Sequence, residues 1–287
     1  MIIDSHAHYS HQRYDIEIPY LYLNNDKYEI SRSDRDELLE RMLKSGIVGF
    51  VEPSIDFEMI ESQLAFVEKY KDHMWATIGV HPTRCNRTQW KNRKKLATYA
   101  QNESVIGIGE TGLDYHYPRR KQRRHLQKKW FIYQLKLAHI LNLPLVLHIR
   151  MAHKDAIKIL RKYRKIIKGG VVHCFIGDYE TAKEYTSLGL KIGIGGKLLG
   201  ENMESDMLCE AISRLELNDL LIETDSPFVL PNVVDLTCSS NTRKKLCNSS
   251  FILPQVIKKI SECKKESIET VERAVYQNTV KLFNLKI

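Results

Sequence analysis

Short apolar runs recur down this chain, each closing on a polar strand-end group, and a helical stretch separates each from the next. Met1-Ile2-Ile3 leads into Asp4-Ser5-His6-Ala7-His8, Ile47 to Val51 ends in Glu52-Pro53, and Trp75 to Val80 ends in His81-Pro82. Val105 to Gly109 ends in Glu110, Pro144 to Leu147 in His148, and Gly170 to Val172 in His173. Lys191 to Ile194 ends in a glycine pair, and Leu220 to Ile222 in Glu223-Thr224-Asp225. Unbroken hydrophobicity of this kind marks strands of a parallel sheet covered on both faces.

The intervening stretches read as amphipathic helices. Between Arg124 and Leu141 the residues Leu126, Trp130, Tyr133, Leu137, Ile140 and Leu141 recur at three- and four-residue spacing, and Asn142 and Pro144 stop the helix. Arg35 to Lys44, Glu58 to Tyr70, Lys154 to Tyr163 and Tyr179 to Leu188 repeat the pattern, and Ile268, Val271, Val275, Leu282 and Phe283 give a last helix. Eight such βα units in 287 residues predict an α/β chain folded as a TIM-type (β/α)8 barrel, with allowance for some distortion. A doubly wound sheet would instead place a Gly-rich phosphate loop after the first strand, and none is present. With no repeat, linker or low-complexity tract, residues 1–287 form a single domain.

In such barrels the chemistry sits at the carboxyl ends of the strands. His6, His8, Glu110, His148, His173 and Asp225 all fall there. Any one of them has an ordinary structural explanation, but four histidines and two carboxylates converging on one face would bury charge without partners unless they hold metal. The first and last strands of a closed barrel are neighbours, so His6, His8 and Asp225 can share one ion. His148 and His173, on adjacent strands about 4.8 Å apart, can share another, with Glu110 bridging. Six ligands exceed one tetrahedral zinc site and suit two divalent ions, magnesium, manganese or zinc, about 3.5–4 Å apart. The positive charge left over favours an anionic substrate such as a phosphodiester. Around these ligands, His81 and Arg150 are placed to hold a phosphate, and Asp114 and His116 follow Glu110 on the same loop.

Seven blocks carry a resemblance: HAH at 6–8, GVHP at 79–82, GIGETGLDYH at 107–116, PLVLHIR at 144–150, GVVHCF at 170–175, ETDSP at 223–227 and NTVKLF at 278–283. In content and order they resemble the TatD family of metal-dependent deoxyribonucleases, itself similar to the wider amidohydrolase superfamily. The resemblance implies that His6, His8, Glu110 and Asp225 hold one metal, and Glu110, His148 and His173 the other. It also implies hydrolysis of DNA as a 3′-5′ exonuclease on single strands. Two-metal chemistry on these ligands makes Asp225 and Glu110 the catalytic residues, with Asp225 receiving the proton of the attacking water. An amidohydrolase-type hydrolase of a small amide, lactone or phosphoester is the alternative.

Two stretches depart from the family pattern. Tyr9 to Ser33 enlarges the segment after His8 and brings Tyr9, Tyr14, Tyr20, Tyr22 and Tyr28, which as exposed rings would stack bases and otherwise make a packing loop or lid. Asn248-Ser249-Ser250 stands where the family carries Asn-Glu-Pro, after an unfamiliar stretch from Leu236 to Leu246. A net charge of +9 and a pI of about 9.1 suit an anionic partner such as DNA. Arg119 to Arg124 would flank the site mouth, and Arg161 to Lys165 would end a helix in solvent. Six cysteines without C-x-x-C spacing read as reduced thiols in a cytoplasmic monomer or weak oligomer. No run is apolar for long enough to span a membrane.

Overall fold

The computed structural model of the protein describes residues 1–24, 27–116, 123–231 and 240–287. Strand β1 is Ile2–Asp4, and an antiparallel hairpin of β2 (Ile18–Asn24) and β3 (Lys27–Ser33) follows it. The remaining barrel strands are β4 (Ile47–Pro53), β5 (Met74–Ile78), β6 (Val105–Asp114), β7 (Leu145–Arg150), β8 (Gly170–His173), β9 (Leu190–Ile194) and β10 (Leu220–Ile222). They lie parallel in the order β1-β4-β5-β6-β7-β8-β9-β10. Closure is lighter than the rest of the sheet. Single bonds span the seam, from Ser5 N–H to the Ile222 carbonyl at 3.0 Å and from Asp225 N–H to the His6 carbonyl at 2.9 Å, beside a bridge between Ala7 and Ser226. The eight strands are the eight expected, and the slight seam is the expected distortion.

Helices α1 (Arg35–Lys44), α2 (Ile60–Lys69), α3 (Arg93–Tyr99), α4 (Arg124–Leu141), α5 (His153–Lys162) and α6 (Tyr179–Thr186) follow the strands. Then come α7 (Met203–Arg214), the short α8 (Ser240–Lys245), α9 (Leu253–Lys264) and α10 (Ile268–Phe283). Their ends follow local chemistry. The Asp34 carboxylate accepts from the Glu37 N–H at the start of α1, and Asn142 in the left-handed region closes α4. Packing divides each strand by its two-residue alternation. Ile3, Val51, Val146, Val171 and Leu221 meet inside the barrel, where Phe283 and Leu285 join them, while Ile2, Phe50, Leu145, Val172 and Leu220 face the helices.

Two expectations change. The rings of the segment from Tyr9 to Ser33 pack, as the second of the two readings has it, and are not a row of exposed stacking rings; what changes is that the second half is a hairpin and not a loop, with Tyr9, Tyr14 and Tyr20 buried in the main core. Tyr20 stacks near Phe251 at 6.2 Å, and the Arg41 guanidinium donates to its hydroxyl. The six cysteines are not all reduced. Cys209 on α7 and Cys263 on α9 are joined as a disulfide, because packing of these helices brings Cα atoms 54 residues apart in sequence to 5.4 Å. No sequence spacing announces such a pair. Cys85, Cys174 and Cys247 are free thiols, and Cys238 lies outside the described residues. Among the described residues no helix is long and apolar enough to cross a membrane.

Candidate metal centre

Alternation along the strands brings the ligands together. His148 stands two residues beyond Val146 and His173 two beyond Val171, so both imidazoles rise directly above the barrel interior, and the two residues are register partners on β7 and β8. Glu110 reaches the same point by another route. The pairing of β6 with β7 slips between Ile108 and Thr111, and that bulge turns Glu110 to the centre. Gly109 permits it, since a side chain there would place a Cβ 2.3 Å from the Val146 carbonyl oxygen. Asp225 is held in the left-handed region at φ 57, which tilts its carboxylate over the seam toward His6 and His8.

The Glu110 carboxylate sits between two groups. Its Oε2 lies 3.8 Å from Nε2 of both His6 and His8, and those nitrogens lie 3.5 and 3.2 Å from Asp225 Oδ1. Its Oε1 lies 2.8 Å from His148 Nδ1, 2.8 Å from His173 Nε2 and 3.3 Å from His81 Nε2. Three triads keep their ligand atoms within 4.8 Å of one another: His6, His8 and Asp225; His6, Glu110 and His173; and His81, Glu110 and His148. Neither ring nitrogen of the wholly buried His6 has a hydrogen-bond partner, nor does His173 Nδ1. Orphaned imidazole nitrogens facing carboxylates are what a divalent cation would satisfy, so the donor set fits metal.

The electrostatics of His6 and Glu110 agree. Burial holds His6 well below the ordinary imidazole range, in the neutral form that ligates. Burial disfavours the charge of Glu110, but His81, His173 and His148 outweigh it and keep the carboxyl well below its usual range. Burial opposes the charged form of His8 and His148 too, yet Asp225 lifts the first to about 9 and Asp114 with Glu110 lifts the second to about 9.

The expected outer residues are placed as follows. His81 is buried, with Nδ1 2.7 Å from the Thr83 hydroxyl and Nε2 3.3 Å from Glu110 Oε1, beside the ligand group. Asp114 is buried behind His148, 3.3 Å from its Nε2, and accepts from the His116 N–H at 2.9 Å. Exposed Arg150 and His116 line a cavity of about 520 Å³ with His148, Met151, Lys197 and Asp225. Of the basic run Arg119 to Arg124, only Arg123 and Arg124 are within the described residues; Arg161 ends α5 in solvent, paired with Glu184.

A supporting layer was not foreseen. Asp4 accepts from the Thr224 and Ser250 hydroxyls, both at 2.6 Å, and from the His6 and Thr224 N–H groups. Glu52 accepts from the Tyr9 N–H at 2.7 Å and the Ser10 hydroxyl at 2.6 Å, fixing the turn beyond His8, whose Nδ1 meets the Pro53 carbonyl at 3.1 Å. Glu223 points into the barrel, accepts from the Cys174 N–H and is pushed well up by burial; its carboxylate lies against Gly193, where a Cβ would come within 2.5 Å of Oε2. Asn248 donates to the Thr224 and Val229 carbonyls. Burial at a strand end was the one sequence signal for Glu52 and Glu223, and it does not separate them from ordinary core residues.

A (β/α)8 barrel with imidazoles and carboxylates gathered over the ends of its strands defines the class of barrel metal-dependent hydrolases. A sequence profile of the family described as TatD related DNase matches residues 3–284, and the chain belongs to the TatD family. It is 31% identical to "3'-5' ssDNA/RNA exonuclease TatD" of Pantoea ananatis over 256 residues, covering 88% of this chain and 94% of that protein. It is 30% identical to "Uncharacterized metal-dependent hydrolase YabD" of Bacillus subtilis over 285 residues, covering 99% of this chain and all of that one. Among solved structures, the TatD homolog YJJV of Escherichia coli superposes with a TM-score of 0.80 at 25% identity, covering 99% and 98% of the two chains.

Proposed function

We propose that this hydrolase cleaves phosphodiester bonds of single-stranded nucleic acid, DNA first, from the 3′ end, with two divalent ions held side by side. The observation that carries the reading is the division of Glu110: one oxygen faces His6 and His8, the other His81, His148 and His173. His6, His8, Asp225 and Glu110 would hold one ion, and Glu110, His148 and His173 the other. When bound, such a pair supplies Lewis-acid activation of water and charge stabilisation for an in-line displacement at phosphorus.

The protein side of the chemistry follows from position. Asp225 is more open than Glu110, its side chain 16% exposed against 4%, and it borders the cavity. It is therefore the group placed to take the proton of the attacking water. Asp114 behind His148 fixes that ring as a second carboxylate does for many metal-bound imidazoles. Arg150 and Lys197, on the cavity rim, supply cationic donors for phosphate, and Lys197 rests 3.5 Å from Glu204. The names of the Pantoea relative and of the family point the same way. The test is a metal-supplemented assay on single-stranded oligonucleotides labelled at the 5′ end. A ladder shortening from the 3′ end is expected, abolished by chelator. Intact oligonucleotides alongside metal-dependent hydrolysis of simple esters or amides would assign the site to small molecules instead.

A further inference from the structure

A second cavity, of about 330 Å³, opens on the same rim of the barrel, between the hairpin and α8. Its walls carry Arg13, Arg32, Lys244 and Lys245 against the single carboxylate of Glu17. All four cations are exposed, and among the described residues none is ion-paired. A contact chain ties this cavity to the metal centre. The Arg13 guanidinium lies 5.8 Å from the centre of the Phe228 ring, and that ring lies 5.8 Å from the His8 imidazole and 5.3 Å from His11. The centre thus stands between two cavities. On one side the space beside His148 and Asp225 is bordered by Met151, Ile176 and Leu230; on the other lies Phe228 and then the basic wall.

We infer that the basic cavity is a backbone subsite for the part of a single strand lying 5′ of the bond that is cut. The inference rests on the proposed function. If cleavage removes the 3′-terminal nucleotide, that nucleotide occupies the cavity beside His148, and the strand continues across the centre toward Phe228. The half-buried Phe228 ring offers a stacking face, and Arg13, Arg32, Lys244 and Lys245 meet the phosphates beyond it. The hairpin contributes Arg32 and shapes the wall, which gives the enlarged segment after His8 a task that its buried tyrosines do not supply. Affinity should then grow with strand length in a sequence-independent way.

The experiment compares the wild-type chain with the triple variant Arg32→Ala/Lys244→Ala/Lys245→Ala, whose altered side chains are all exposed and outside the metal centre. Fluorescence anisotropy in chelator measures binding of thymidine oligonucleotides of about 3 and about 12 nucleotides, lengths that bracket a short groove. Wild type should bind the longer strand on the order of tenfold more tightly. The variant should lose most of that advantage, and its salt slope on the longer strand should fall by about 2, from roughly 0.7 per lost contact. Metal-dependent turnover of bis(p-nitrophenyl) phosphate, too small to reach the cavity, should be unchanged. An unaltered length dependence and slope would overturn the inference, and 3′ trimming by the same protein would show the nucleic-acid reading standing without it. No binding of either strand by wild type would overturn both, with the small diester still reporting hydrolase activity.

Discussion

Glu110 holds the centre together because its two oxygens face different histidines, so its removal should be felt in both halves. Purified protein is expected to carry about two divalent ions per chain by elemental analysis, and Glu110→Ala should lower occupancy at both positions; one ion per chain, indifferent to that change, would exclude the bridge. Asp225 separates two roles. Asparagine keeps the shape and one oxygen but takes no proton, so Asp225→Asn should lower turnover by about 10² to 10⁴ even at saturating metal. Recovery of most of the rate in excess metal would leave Asp225 a ligand only. At this scale much was legible beforehand: His6, His8, Glu110, His148, His173 and Asp225 end apolar runs, and the structure gathers all six. Asp4, Glu52 and Glu223 were not legible, because what distinguishes them is who faces them across the barrel. Thr224 and Ser250 lie more than two hundred residues from Asp4.

The hairpin β2–β3 is the element that departs most from expectation. Its hydrophobic pattern is broken by Pro19, Asn24 and charged residues, so it does not read as a buried strand pair, and Tyr20 is hidden only because Phe251 and Arg41 come from distant segments to cover it. Tyr20→Ala should therefore destabilise the fold by about 3–5 kcal/mol, the cost of emptying a large buried aromatic site. Chemical denaturation would check it, and a loss below about 1 kcal/mol would mean that the hairpin is loosely attached. The barrel strands were easier to foresee. Each is apolar on both faces, and that continuity survives without knowledge of any partner. The disulfide between α7 and α9 belongs with the hairpin: both depend on which elements pack side by side, and local pattern holds no record of that.

For the molecule as a whole, buried imidazole nitrogens without hydrogen-bond partners cost the fold free energy, which bound cations would offset. Ions that bind only the folded chain should lift its stability, by about 2.7 kcal/mol at one hundred times the dissociation constant. Calorimetry with and without chelator should show the unfolding midpoint rise with added metal; a midpoint insensitive to saturating metal would remove the ions from this site. The seam of the barrel carries a further consequence. His6 and Asp225 meet across it, and Asp4 is fastened to Ser250, so β1, paired on one side with β4, gains its second neighbour only from the far end of the chain. The ligand group is therefore shared between the two ends of the chain, and a chain ending before Asp225 holds His6 and His8 without one of the carboxylates that face them.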